Sequence, residues 1–237
     1  MKQSQGLNSR IKVIIVVIIL LCAGAICVYN TWVYYLNRAS DRAIRLAESA
    51  AAFLSNDQIS VLEATPDDFE KPEYQHIKDS LVKFKELNGD IYFAYLYTQK
   101  DDKIYFMVDS EAPGSEGYSP PGQEYPEATQ TDKQPFIDGK SVITKPAADR
   151  WGIWVSALVP IKDQNTGKVI AVFGIDYSAK QWYWETIKYT LYTAAIVISI
   201  LLLILVLCLI MVVNKKQGPG GNEQKTKGKR GTFQNSI

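Results

Sequence analysis

Residues 149–176 read DRWGIWVSALVPIKDQNTGKVIAVFGID, and the predicted sheet is built around them. The first half of this stretch predicts a strand with two distinct faces over 153–159. Ile153, Val155, Ala157 and Val159 are expected on one face, and Trp154, Ser156 and Leu158 on the other. The triplet Asn-Thr-Gly at 165–167 predicts a turn, because its glycine can adopt a positive φ. The second half, 168–175, is almost entirely apolar, as expected for a strand covered on both faces. The stretch therefore predicts an antiparallel hairpin that ends on a carboxylate, Asp176.

One end of this hairpin collects side chains that a purely structural hairpin does not need. Two tryptophans, Trp151 and Trp154, lie beside Arg150 and Asp176. At the other end of the first strand, Pro160 is expected to limit the ladder, since it has no N–H to donate. The aromatic and charged end predicts the floor of a small-molecule pocket.

Charge is distributed very unevenly along the chain. Residues 1–36 hold three basic side chains and no acidic one, and residues 214–237 hold six basic side chains and one acidic one. The remainder, 37–213, carries 17 basic and 24 acidic residues, although the whole chain is nearly balanced at +1. No global charge indicates nucleic-acid binding.

Two uncharged apolar runs, Val13–Leu36 and Tyr189–Val213, are each long enough to cross a bilayer as a helix. Ala23-Gly24-Ala25 leaves open a cleaved signal for the first run, but apolar residues continue past it and favour an uncleaved anchor. Aromatic residues mark one end of both runs, and basic residues mark the other, which predicts both termini in the cytoplasm. The predicted order is a cytoplasmic N-terminus (1–12), a transmembrane helix (13–36), an extracytoplasmic domain (37–187), a second transmembrane helix (189–213) and a disordered basic cytoplasmic tail (214–237).

All three cysteines lie in the apolar runs, so the outer domain has no disulfide. Together with the absence of an Asn-x-Ser/Thr acceptor, this suits a two-pass protein of a prokaryotic inner membrane.

The outer domain begins with a helix that continues from the membrane. Small and apolar residues recur on it at steps of four and three between Leu36 and Leu54, and this seam meets either a second copy of the chain or the domain's own sheet. A second helix is predicted from Thr65-Pro66 to Leu87, with Asn88-Gly89 ending it.

Strands follow at Ile91–Thr98, Lys103–Val108 and Lys140–Lys145 before the hairpin. A proline-rich loop at 109–135 separates the second strand from the third, and a loop of this length is typical of a functional lid. These elements predict an α+β domain with a five-stranded antiparallel sheet, helices on one side, and a long N-terminal helix, placed between two transmembrane helices.

The outer domain resembles the extracytoplasmic single Cache (PAS-like) sensor domains found ahead of bacterial and archaeal histidine kinases and diguanylate cyclases. The resemblance covers about Ile91–Trp182 and the two-span layout. The matching pieces are Tyr118-Ser119-Pro120-Pro121-Gly122, Tyr125, Glu127-Ala128, Asp149–Ala157, Pro160-Ile161 and Gly174-Ile175-Asp176.

The resemblance implies ligand sensing across a membrane, with Asp176 and strand aromatics helping to hold a small organic ligand between the sheet and the lid. The chain departs from that family after the second span, where 24 residues leave no room for a kinase or cyclase. We therefore expect a sensor without an output domain of its own. Two alternatives are a sensor remnant of a truncated kinase or cyclase, and a structural membrane protein that scaffolds a partner.

Several side chains are candidates for ligand contact. Arg150 beside Trp151 can stack and hold a carboxylate bidentately. Trp151 and Trp154 lie three apart in a strand, so at most one is expected to line the pocket. The predicted ligand-binding residues are Tyr95, Tyr97, Tyr118, Tyr125, Arg150, Trp151, Trp154 and Asp176.

No catalytic arrangement is apparent. The only histidine, His76, lies in a charged helical stretch, and the sequence has no Cys/His cluster, phosphate-binding glycine loop or nucleophile elbow. We expect a non-enzymatic protein without metal or cofactor. Its expected partners are the membrane, a carboxylate or amino-acid-like ligand, a second copy in a homodimer and a separate signalling protein, with no nucleic acid.

Overall fold

The computed structural model describes residues 3–216 and divides the chain into two compact units. One unit contains residues up to Thr31 and from Thr190, and the other is Trp32–Tyr189. The predicted disordered tail falls mainly on 217–237, which lie outside the described residues.

The first unit consists of parts of two long helices, α1 (Gln3–Ala52) and α5 (Ala179–Lys216). Both helices are long and apolar enough to cross a membrane, and none of their most apolar stretches is buried in protein. Gly24 of α1 lies so close to α5 that a Cβ atom there would be 2.6 Å from Val197 Cγ1. The glycine therefore permits the contact between the two helices in this unit.

The second unit is the α+β domain. After α1 come α2 (Asn56–Ser60), a 3₁₀ turn (Pro66–Glu70) and α3 (Pro72–Leu87). The remaining elements in chain order are β1 (Phe93–Lys100), β2 (Lys103–Asp109), α4 (Gln130–Asp138), β3 (Val142–Ile143), β4 (Ala147–Asp149), β5 (Gly152–Lys162) and β6 (Val169–Ser178).

The strands form one antiparallel sheet with the order β2-β1-β6-β5-β3, and β4 also pairs with β5. This confirms the predicted five-stranded sheet, with β4 as a short addition. The predicted hairpin is β5–β6, and Gly167 in its turn has φ +71°. Pro160 does not end the ladder as predicted, because the pairing with β6 continues to Lys162. Beyond Leu158, β5 no longer pairs with β3, so the missing N–H is tolerated there.

The main core lies between the helices and one face of the sheet. Ala157, Phe173 and Ile175 of the hairpin pack there against α1 and α3. On α1 the buried residues are Ala43, Ala47 and Ala51, so the small-residue seam meets the domain's own sheet. The opposite face holds a second, smaller cluster around Tyr97, Phe106 and Val172, and this face carries the candidate site.

The predicted helix at 65–87 is in fact two elements. Pro72 disfavours a helical conformation at the residue before it, and Lys71 accordingly has extended dihedrals of φ −76° and ψ 135°. The first element is the 3₁₀ turn, capped by a reciprocal box between Thr65 and Asp68, and the second is α3.

Part of the predicted loop at 109–135 is also helical. Thr129 caps α4, and Asp132 completes a capping box with it. Pro135 is tolerated inside this nine-residue helix, and Gly139 ends it with φ +65°. The true loop is therefore 110–128, which is shorter than expected.

Candidate functional site

A small pocket lies where the loop 110–128 covers the face of the sheet opposite α1 and α3. Its cavity is about 20 Å³, which is room for one or two water molecules. Five aromatic rings and three carboxylates contribute to its walls. The lining residues are Phe93, Tyr95, Phe106, Asp109, Gly117, Ser119, Tyr125, Asp149, Trp151 and Asp176.

The floor of the pocket is built by β1 and β6. Tyr95 is paired directly with Gly174, and a Cβ at position 174 would be only 2.4 Å from the Tyr95 ring. Gly174 therefore lets the ring lie flat across β6. In this position the Tyr95 hydroxyl donates a 2.9 Å hydrogen bond to Oδ1 of Asp176.

Asp176 is buried, with 6% of its surface exposed. Burial raises the pKa of its carboxyl from 3.8 to about 7, although hydrogen bonds from Ser156 and Tyr95 favour the charged form. The negative charges of Asp149 and Asp132 also raise this pKa. Among the described residues no cationic side chain pairs with Asp176, so a negative charge here lacks a partner.

Asp149 organises the turn that carries Trp151. Its Oδ1 accepts hydrogen bonds from the Trp151 and Gly152 amides at 2.8 and 3.0 Å and from Nε1 of Trp154 at 3.0 Å. Its Oδ2 accepts one from the Tyr125 hydroxyl at 3.1 Å. The carboxylate thus holds together the two tryptophans and one loop tyrosine.

Asp109 occupies the end of β2 and is buried beside Lys78 of α3. Nζ of Lys78 lies 3.5 Å from Asp109 Oδ1 and donates to the main-chain oxygens of Asp109 and Glu111 at 3.0 and 2.6 Å. Burial raises the pKa of Asp109 to about 6, while the Ser119 amide and Lys78 oppose the rise. Lys78 therefore joins a helix to the beginning of the loop.

The two halves of the loop are held differently. Residues 122–125 lie along the edge of β2 with main-chain hydrogen bonds of 2.8–3.0 Å to Ile104 and Phe106. In the first half, Ser110 makes a main-chain bond of 2.9 Å to Ala94 of β1. The other contacts of this half with the rest of the domain are made largely through side chains, such as the 3.2 Å bond from Trp151 Nε1 to the main-chain oxygen of Glu116. Residues 110–119 are therefore the part better suited to move.

A larger cavity of about 280 Å³ lies elsewhere in the domain, between α1 and the start of α5. Arg42 and Glu185 form a 3.5 Å ion pair there, with side chains 60% and 69% exposed. Because both groups face solvent, this cavity is an open groove, and the aromatic pocket is the stronger candidate.

The structure brings four of the eight predicted residues into the pocket lining, namely Tyr95, Tyr125, Trp151 and Asp176. Tyr97 and Trp154 are buried beside the pocket. The Tyr97 hydroxyl donates to the main-chain oxygen of Asp132, and Nε1 of Trp154 donates to Oδ1 of Asp149. The Tyr118 hydroxyl instead lies 3.2 Å from that of Tyr74, under α3.

Arg150 is the predicted residue that the structure places most differently. Its Nε and one terminal nitrogen bind the two carboxylate oxygens of Glu127 at 2.7 and 2.6 Å. Its guanidinium lies 5.0 Å from the centre of the Trp151 ring, outside the pocket lining.

The sequence matches no protein-family model and no curated protein at a significant level. The structure is similar to the periplasmic sensory domain of the Campylobacter jejuni chemoreceptor Tlp1, at 14% identity and a TM-score of 0.45, covering 67% of this chain and 61% of that one. It is also similar to the ligand-binding domain of the Pseudomonas aeruginosa PAO1 amino acid chemoreceptor PctC in complex with GABA, at 15% identity and a TM-score of 0.43, with coverages of 68% and 66%.

A third similar structure is the ligand-binding domain of Mlp24 with asparagine, at 15% identity and a TM-score of 0.39, with coverages of 68% and 62%. The chain thus spans less than two thirds of each of these three structures. All three of these proteins are described as sensory or ligand-binding domains. At these values the likeness does not define a ligand for this chain.

Several lining residues were absent from the predicted set. Phe106 and Asp109 lie on β2, which the sequence analysis predicted only as the partner strand of β1. Asp149 directly precedes Arg150, which was in the predicted set. The sequence feature that could have indicated Asp109 and Asp149 is their position. Each lies at the boundary between a strand and a loop, beside aromatic residues. Sequence alone gives no reason to join two such boundaries 40 residues apart.

Proposed function

We propose that this protein is a membrane-anchored sensor whose extracytoplasmic domain binds a small organic ligand in the aromatic pocket, and that it is not an enzyme. One observation carries the proposal. Asp176 is a buried carboxylate with no cationic partner among the described residues, although such a group destabilises an empty fold. A ligand that supplies the missing partner gives this arrangement a purpose.

The position of Asp176 in the chain connects the site to the membrane. The residue lies near the end of β6, and α5 begins at Ala179. A displacement of Asp176 on ligand binding therefore reaches the helix through two residues. The closed cavity is too small for an organic ligand, so binding also requires residues 110–119 to move outward.

The proposal predicts ligand-dependent stabilisation. Full-length protein in lipid nanodiscs would be screened by thermal unfolding against small carboxylic acids, amino acids and amines. A ligand at 100 times its Kd stabilises the folded state by about 2.7 kcal/mol, which raises the melting temperature by roughly 5–10 °C. At least one compound should do so, and Asp176→Asn should reduce the shift. A complete absence of shifts would favour a scaffold for a partner protein.

The membrane orientation gives a second prediction. We propose both termini in the cytoplasm, since basic residues flank the apolar runs on that side. Gln164 is exposed in the β5–β6 turn, so Gln164→Cys should react with a membrane-impermeant maleimide in intact cells. The unsubstituted chain, whose cysteines lie in the apolar runs, is the matched control. Labelling of Gln164→Cys only after lysis would reverse the orientation.

A further inference from the structure

The charges around the pocket set the first constraint on its ligand. Its lining contains Asp109, Asp149 and Asp176, and none of the lining residues is Lys, Arg or His. Lys78 forms an ion pair with Asp109, so of the three aspartate charges it offsets only that of Asp109. In the described part of the chain, Asp149 and Asp176 have no ion-pair partner. The site therefore favours a cation and repels an anion.

The hydrogen bonds around the pocket set the second constraint. The Tyr95 hydroxyl donates to Asp176, and the Tyr125 hydroxyl donates to Asp149. The Trp151 indole donates to the main-chain oxygen of Glu116. These donors are already engaged by protein acceptors. A carboxylate accepts about four hydrogen bonds, and Asp176 receives two, so its acceptor capacity is not filled. Asp149 already accepts four hydrogen bonds, so the free acceptor capacity of the pocket lies chiefly on Asp176, and free donors are few.

Arg150, the cation beside Trp151 that suits a ligand carboxylate, is bound to Glu127 instead. Its two bonds to Glu127 form a bidentate charge-assisted pair, and its guanidinium lies 5.0 Å from the centre of the Trp151 ring. To bind a ligand carboxylate it would have to break both bonds. The Ser119 hydroxyl lines the pocket, but a neutral donor cannot offset the charge of a carboxylate.

The walls indicate what surrounds the cation. Phe93 and Phe106 form an apolar surface, and the rings of Tyr95, Tyr125 and Trp151 lie beside them. Aromatic faces attract an ammonium group and pack against a short alkyl chain. The charges, the hydrogen bonds and the aromatic walls of the pocket therefore all favour a cation that carries a short apolar chain.

From this geometry we infer that the ligand is a small aliphatic amine without a carboxylate, held by Asp176 between the aromatic rings, with the negative charge of Asp149 also lining the pocket. This inference rests on the proposed function and specifies the ligand class of the same pocket. It departs from the carboxylate or amino-acid-like ligand that the sequence led us to expect, because that expectation required Arg150 in the pocket.

Four compounds with the same carbon chain test the inference: butylamine, 1,4-diaminobutane, 4-aminobutanoate and butanoate. Binding to the full-length protein in nanodiscs is measured by calorimetry at pH 8. One or both of the amines without a carboxylate should bind at least about 10-fold more tightly than 4-aminobutanoate, and butanoate should not bind. Asp176→Asn should weaken amine binding by roughly 30-fold or more, as for loss of one member of a buried charged pair.

Arg150→Ala is the matched control, and amine affinity should stay within about twofold of the unsubstituted protein because the side chain lies outside the lining. Tighter binding of 4-aminobutanoate, lost in Arg150→Ala, would overturn the inference while leaving the proposed function intact. Amine binding that Asp176→Asn and Asp149→Asn both leave unchanged would also overturn it, with melting curves showing that the variants are folded. If none of the four compounds binds, the inference fails, and the wider ligand screen decides the proposed function separately.

Discussion

Asp176→Asn is expected to make the ligand-free protein more stable at pH 8, not less. Asparagine preserves the shape of the side chain and can still accept the hydrogen bond from Tyr95, but it carries no charge to bury. The raised pKa of Asp176, from 3.8 to about 7, implies a gain of roughly 1–4 kcal/mol. Most buried polar substitutions destabilise, so a gain would mark a carboxylate retained for binding.

The direction with pH follows from proton binding. Between about pH 4 and pH 7 the folded state retains a proton on Asp176 that the unfolded state has lost, so stability falls as pH rises. The penalty is complete above the folded pKa and absent below the unfolded one. Thermal unfolding of full-length protein in nanodiscs should therefore show nearly equal melting temperatures for Asp176→Asn and the unsubstituted protein at pH 4. At pH 8 the melting temperature of Asp176→Asn should be higher by about 3–10 °C.

Asp79→Asn on the exposed face of α3 is the matched control, and it should leave the melting temperature unchanged at both pH values. A destabilised Asp176→Asn at pH 8 would show that the charged carboxylate contributes to the fold through its hydrogen bonds from Ser156 and Tyr95. The inferred role of Asp176 as an unpaired ligand-binding charge would then be wrong.

The fold was predictable where local patterns and global packing agree. Alternation over 153–159, the Asn-Thr-Gly turn and the apolar run after it determine the β5–β6 hairpin, and that hairpin forms the centre of the sheet. Helix boundaries were less predictable. Pro72 and the Thr129–Asp132 capping box were visible in the sequence, but the proline content of the loop obscured the helix that this box begins.

The pocket was only partly predictable, because it depends on which charges find partners. Arg150 beside Trp151 is compatible with a ligand clamp, and only the structure shows that Glu127, 23 residues away, takes both of its bonds. In the same way, nothing local connects Lys78 on α3 with Asp109 on β2. Sequence patterns indicate the type of each element and which of its faces is buried. Ion pairs between distant segments depend instead on the complete fold.

Lys78→Met should produce the largest loss of stability among these changes. The substitution removes the ammonium group that offsets Asp109 and leaves two main-chain oxygens, those of Asp109 and Glu111, without their donor. Breaking a buried ion pair from one side costs about 3–5 kcal/mol, which lowers the melting temperature by roughly 10 °C. Exposed Lys83 on the same helix provides the matched control, Lys83→Met, which should have little effect.

The loss should depend on pH because of Asp109. Its pKa is already raised to about 6 beside Lys78, and without the lysine it rises further, so the folded variant keeps a proton that the unfolded chain releases. The stability difference from the unsubstituted protein should therefore be smaller at pH 5 than at pH 8. The double variant Lys78→Met/Asp109→Asn should recover part of the loss at pH 8 and show less pH dependence.

Because Lys78 also lies 5.0 Å from the Tyr118 ring, its loss should release residues 110–119 and raise their amide hydrogen exchange. If hydrogen exchange in 110–119 is unchanged, Lys78 stabilises α3 and β2 without holding the movable half of the loop.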